Sequence, residues 1–133
     1  MIALIRAAMC DLMPRGAALP GLADTAVSDF LHTLKRESGG LFWLGLVLGA
    51  WVYTLTPCLT VFVPLPSFLL PARLRDRHAS RIGSSELYLI RQAIAVVRLA
   101  AGLCWGSDPT VRARFGLAPY PSDPGSYRGS TPP

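Results

Sequence analysis

Residues 41–72 contain no Asp, Glu, Lys, Arg or His, and no other stretch limits the fold as strongly. A helix needs about 20 apolar residues to cross roughly 30 Å of hydrocarbon, so the length of this stretch allows a crossing. Its prolines complicate that reading. Pro57, Pro64 and Pro66 each remove a backbone donor and clash with the preceding turn. An unbroken helix is therefore expected over 41–56, about 24 Å long at 1.5 Å per residue, which is short of a full span. The helix is apolar all the way round, so every side of it must be covered, by lipid or by protein. Gly45 and Gly49 form a G-x-x-x-G step that lets a second helix approach closely. Residues 57–71 read as an extended, proline-punctuated stretch, because the residue before each proline is pushed out of the helical region.

The flanks predict further helices. In 24–38, Val27, Phe30, Leu31 and Leu34 recur at i, i+3, i+4 and i+7, one apolar stripe of an amphipathic helix. Asp24 is placed to cap its start, Lys35 and Arg36 suit its end, and Gly39-Gly40 stops it. His32 falls on the solvated side. Residues 73–85, RLRDRHASRIGSS, hold four arginines against one aspartate. They read as a basic collar on the apolar segment or as a solvated loop with a helical turn. Ser84 or Ser85 then caps a long helix over 86–105, whose narrow polar stripe carries Arg91, Gln92 and Arg98. An arginine at mid-bilayer costs about 2.5–3.5 kcal/mol, so this helix suits burial in protein better than in lipid. Asp108, Pro109 and Gly116 mark the cap, first residue and stop of a short helix over 109–115. Residues 117–133 are rich in Pro, Gly and Ser and should run extended over a surface, with Tyr120 and Tyr127 as docking anchors.

The first 23 residues lack the uninterrupted apolar core of a cleaved leader, since Asp11 and Pro14 break the run. They are expected to form a short amphipathic or disordered lead. The organisation is then a lead over 1–23, an all-α helical domain over 24–116 and a tail over 117–133.

Of 133 residues, 51% are hydrophobic and 16% charged, where soluble domains average about 25% charged. Much of the surface is therefore expected to face something other than water. Net charge is +5, and 12 of the 13 basic residues are arginine. They are scattered without an aromatic-interleaved patch, which disfavours nucleic acid and leaves a mild attraction to anionic lipid or an acidic partner. Cys10, Cys58 and Cys104 are far apart and odd in number, which suits buried free thiols. His32 and His78 are remote from them and from each other, so no metal or haem site is expected on this chain. Nucleotide loops, nucleophile elbows and zinc-protease helices are missing from the sequence, and no catalytic residue is expected.

The order of the pieces resembles the small helical accessory region that accompanies some bacterial flavoprotein oxidoreductases of the glucose–methanol–choline type. The resemblance covers residues 24–120. It rests on the D-F-L-x-x-L step at Asp29 to Leu34, the apolar helix, and the proline-rich stretch ending at Leu70-Pro71. A loop with Arg75 and His78 follows, then Arg91-Gln92, then W-G-S-D-P-x-V-x-x-x-F-G from Trp105 to Gly116. The central helix is more apolar than that pattern calls for, which favours membrane contact. A fused flavoprotein would continue into a flavin-binding glycine loop, so the resemblance implies a separate subunit. FAD and the catalytic histidine would belong to its larger partner, and no cofactor to this chain. The expected interface, against protein or lipid, comprises Trp43, Gly45, Gly49, Trp51, Ile94, Val97, Trp105, Phe115, Tyr120 and Tyr127. The expected role is a non-catalytic small subunit that stabilises a larger FAD-dependent dehydrogenase at a membrane surface, peripheral or monotopic. The alternative is a single-pass membrane protein with 41–70 as its span.

Overall fold

A computed structural model describes residues 1–120. Among these the chain is all-α, with seven helices and no strand. The helices are α1 (Ile2–Leu12), α2 (Val27–Glu37), α3 (Gly40–Leu55), α4 (Pro57–Thr60), α5 (Ala72–Ile82), α6 (Tyr88–Ser107) and α7 (Pro109–Arg114). Residues 121–133, including Tyr127 and most of the expected tail, lie outside the described residues.

The core is an antiparallel pair, α3 against α6. Gly45 lies beside Val96, and Gly49 beside Ala93 and Val97, so the two chains run in opposite directions along the contact. The approach is closest at Gly49, where a Cβ would sit 2.5 Å from the Ala93 carbonyl oxygen and 2.6 Å from a Val97 methyl. A side chain there would have to push the two backbones apart. The G-x-x-x-G step thus works inside one chain, with Gly49 as its tight point and Gly45 as a loose one, where a Cβ would meet the Val96 methyl at an ordinary 3.8 Å.

The third core helix is α1, which packs against both α3 and α6. Of the two expectations for the lead, amphipathic or disordered, it takes the amphipathic one. Ile5, Ala8, Met9 and Leu12 are buried, and their spacing places them on one helical face. Asp11 and Pro14, which interrupt the apolar run, come at and after the last turn, where they end a helix rather than break it.

Two local readings also change. Asp24 does not cap α2. It closes a 3-10 turn over Leu22–Asp24, where its carboxylate accepts the Gly21 N–H at 2.9 Å and pairs with Arg15 at 2.7 Å. The segment read as a collar or a loop is a three-turn helix, α5, entered from Pro71. Leu74, His78 and Ile82, spaced i, i+4, i+8, turn inward, while Arg77 and Arg81 turn outward. The start of α6 is shifted as well: Leu87 precedes its first turn, and the Ser85 hydroxyl accepts the Leu87 N–H at 3.3 Å.

Other expectations hold. The Asp108 carboxylate accepts the N–H groups of Thr110 and Val111 at 2.8 and 3.1 Å, a capping pair worth about 1 kcal/mol. Gly116 takes a positive φ of 66°, which permits the stop after α7. Beyond α3 the proline-rich stretch forms one turn, α4, and one 3-10 turn over Ser67–Leu69, with irregular backbone elsewhere.

The two glycines of α3 therefore make a paired test. Gly49→Ala should cost about 1–3 kcal/mol through overpacking. Gly45→Ala should be neutral or stabilising by up to about 1 kcal/mol, the helix-propensity difference. Thermal unfolding in mild detergent, followed by the helical signal, separates them. Equal melting temperatures would contradict the close approach at Gly49.

Candidate interaction surface

The end of α3 holds a buried polar junction. Pro57 has no N–H, so the carbonyl of Tyr53, four residues earlier, loses its helical donor. His78 of α5 supplies the replacement: its Nε2 lies 2.8 Å from the Tyr53 carbonyl oxygen. A carbonyl only accepts, so Nε2 carries the proton. Nδ1 is then the acceptor and takes the Thr60 hydroxyl proton at 2.5 Å. The His78 side chain is fully buried, and its ring lies 4.6 Å from that of Tyr53. Burial lowers the His78 pKa below its ordinary value, more than the backbone hydrogen bond raises it. Next along, the Tyr53 hydroxyl donates to Asp11 at 3.2 Å, and Arg75 pairs with the same carboxylate at 3.4 Å. Desolvation raises the pKa of Asp11 and of the Tyr53 hydroxyl.

Every polar atom of the His78 ring is engaged in holding α3, α4 and α5 together, which leaves no nitrogen free to move a proton to a substrate. Among the described residues no cluster of three His, Cys, Asp or Glu gathers as a metal site. All three cysteines are free. Cys104 is buried and Cys10 half-buried, and desolvation raises both thiol pKa values. Cys58 is exposed, which corrects the expectation of buried thiols; it lies in the one-turn helix α4.

The unusual surface is apolar. Along α3, Leu41, Leu44, Leu48, Trp51 and Leu55 are all exposed. Their spacing of three, four, three and four residues makes one straight stripe on the side opposite α1 and α6. It continues through Leu59 on α4, also exposed. On α6, Leu89, Leu99 and Leu103 are exposed. They are seven before, three after and seven after Val96, the residue beside Gly45, so they share the flank of α6 that adjoins α3. Monomers rarely expose a contiguous apolar patch larger than a few hundred Å². Nine large apolar side chains on two adjoining helices and the turn that follows exceed what solubility tolerates without a use.

The expected interface residues divide sharply. Trp51 is 44% exposed and belongs to the stripe. Ile94 and Val97, at 1% and 0% exposure, are in the core of the chain itself, so the expectation that a partner covers them is corrected: α1 and α3 already do. Gly49 is buried against α6, and Gly45 is half-covered. Trp43 is half-buried against the core with the Lys35 ammonium 5.9 Å from its ring. The half-buried Trp105 donates its indole N–H to the Pro20 carbonyl at 2.9 Å and meets the Phe115 ring edge-on at 5.9 Å. Phe115 and Tyr120 are exposed, Tyr120 beneath the Arg112 guanidinium at 4.3 Å. The leucines of the stripe were missed although their heptad-like spacing is visible in the sequence; a helix apolar on all sides hides which side its own chain will cover.

No family model, curated protein or solved structure matches this chain.

The polar junction predicts a coupling. His78→Leu should cost about 1–3 kcal/mol, the penalty for an orphaned buried acceptor. Pro57→Ala restores a backbone donor to the Tyr53 carbonyl, so in that background the same His78 change should cost at least about 1 kcal/mol less. Because burial lowers the folded pKa of His78, its contribution is complete above the unfolded pKa of about 6.5 and is lost as pH falls below that value. The pH-dependent loss should vanish in His78→Leu. Additive unfolding free energies in the double variant, or an unchanged pH profile, would contradict this assignment.

Proposed function

We propose that the chain is a non-catalytic small subunit that lays the outer face of α3, with the adjoining flank of α6, against a larger protein and helps to hold it at a membrane surface. The observation that carries this reading is the exposed stripe Leu41, Leu44, Leu48, Trp51 and Leu55. Its fourteen-residue reach is about 21 Å. Anchors spaced three and four apart along one face suit a helix laid into an apolar groove of another protein. The resemblance to accessory regions of glucose–methanol–choline-type flavoproteins suggests the kind of partner, a larger FAD-dependent dehydrogenase that carries the flavin and the catalytic groups.

A single-pass membrane protein is the second reading, and one observation favours it. α6 is long and apolar enough to cross a membrane, the one such helix among the described residues. Against it, Arg91, Gln92 and Arg98 are all exposed on α6, and Arg98 lies near the middle of its length, where a charge costs about 2.5–3.5 kcal/mol. The segment first considered for a span, 41–70, is helical only to Leu55 before the α4 turn and irregular backbone. Lipid cannot satisfy the backbone groups of such a segment. Contact at one membrane face with protein covering the stripe accommodates both facts.

Purification of the full chain under native conditions from its own cells tests the proposal. The wild-type chain should emerge in fixed ratio with a larger protein that shows the absorbance and fluorescence of bound flavin. Leu44→Lys with Leu48→Lys, both at exposed positions, should abolish that association while leaving the helical signal intact. A wild-type chain that emerges as a lone, water-soluble monomer would refute the reading.

A further inference from the structure

We propose that the end of the molecule formed by α4, residues 61–71 and α5 is a docking site for an anionic lipid surface. The inference rests on the membrane half of the reading above and names the lipid class and the residues. It does not depend on which protein covers α3.

Two independent observations converge on this end. The first is a cluster of exposed apolar tips. Leu59, Phe62, Leu65, Phe68 and Leu69 are all exposed, Phe62 at 82%. Phe62 also has a backbone φ of 58°, a left-handed conformation that glycine and asparagine adopt readily and a bulky side chain does not. A strained backbone that points an aromatic ring into water makes sense only if the ring has somewhere apolar to go.

The second observation is a row of charge. Arg73, Arg77 and Arg81 stand at i, i+4 and i+8 on α5, all exposed, and so form one stripe. Arg81 fixes where that stripe lies, because its Nη1 donates to the Thr60 carbonyl oxygen of α4 at 3.0 Å. Arg81, Leu59 and Phe62 also share the wall of one cleft of about 440 Å³, with Glu86 as the opposing charge in that wall. Leu59 and Phe62 therefore adjoin Arg81, the end of the arginine stripe. Arg73 and Arg77 have no ion-pair partner among the described residues.

Apolar side chains that enter the boundary of the acyl region, beside arginines held at headgroup level, are the two parts of a peripheral membrane site. Neither part suffices alone, since apolar insertion is blind to headgroup charge and basic residues alone are screened by salt. Charge complementarity selects an anionic surface over a neutral one. The helix ladder of α4 is one turn long, and irregular backbone follows it, which suits the interface and not the hydrocarbon interior.

Flotation of the full chain tests this, with any protein that copurifies retained. The vesicles are phosphatidylcholine alone or phosphatidylcholine mixed with phosphatidylglycerol. The wild-type chain should bind the anionic vesicles more tightly and lose that advantage as salt rises. Each arginine near such a surface contributes about 5-fold, so Arg73→Gln with Arg77→Gln should weaken binding to anionic vesicles roughly 30-fold and leave neutral vesicles unaffected. Phe62→Asn suits the same backbone conformation, so it should keep or raise the melting temperature while weakening binding to both kinds of vesicle. Equal wild-type binding to neutral and anionic vesicles would overturn the proposal, as would an arginine variant with wild-type affinity. If that variant floated normally but no longer copurified with a larger protein, the stripe would face protein, and the lipid site would fall while the subunit reading stood. Arginine-dependent flotation of a chain that copurifies with nothing would keep the lipid site and remove the subunit reading.

Discussion

A helix with apolar side chains in every direction needs cover in every direction, and among the described residues α3 receives it on one side only. α6 takes one flank of α3 at the Gly49 contact, and α1 packs on α3 as well. The remaining side keeps Leu41, Leu44, Leu48, Trp51 and Leu55 in the open. The tightness of the glycine contact is what makes this outcome definite. With a Cβ at Gly49 only 2.5 Å from the Ala93 carbonyl, the rotation of α3 about its axis is fixed by which face carries the glycines. The leucine stripe lies about 100° round the helix from the glycines, opposite the buried face of Leu46, Ala50 and Tyr53, and so faces outward.

The second constraint acts at the end of that helix. Pro57 stops α3 from continuing into the proline-rich stretch, but in doing so it strands the Tyr53 carbonyl inside the protein. The His78 ring resolves this from another helix and adds the Thr60 hydroxyl on its far side. One imidazole thus ties three elements, which explains how α5 is held firmly enough to set its arginine stripe beside the apolar turn. Asp11, Tyr53 and Arg75 extend the tie to α1.

What was legible in the sequence follows from where the forces are local. The limits of α3 were readable because prolines and a glycine pair mark them within a few residues. The Asp108 cap was readable because a carboxylate, a proline and a glycine at fixed offsets describe a short helix whatever surrounds it. The helix α1 was not, since Asp11 and Pro14 look like interruptions until Asp11 is seen to meet Tyr53, forty-two residues away. α5 was obscured by its four arginines, which drown an inward stripe of only Leu74, His78 and Ile82. Asp24 has the right spacing for a cap on α2, yet the salt bridge from Arg15 draws it into a preceding turn. Ile94 and Val97 were placed at an outer interface because the sequence shows which residues are apolar and not which neighbour covers them.

Among the described residues the core is closed and the outer side of α3 is left uncovered, and the functional reading rests on that open side. The most direct measurement is thiol reactivity in the native assembly. Cys58, the exposed native thiol, is replaced by serine, and single cysteines are introduced as Leu48→Cys on the stripe and His32→Cys on the exposed side of α2. Each is labelled in gently lysed cells and again after the chain has been purified in detergent and transferred to a soluble polymer. Position 48 should react many-fold more slowly than position 32 in the lysate, because a partner or a membrane covers the stripe. Equal rates at the two positions in the lysate would mean that the stripe stands open to water in the working protein, and the account would be wrong.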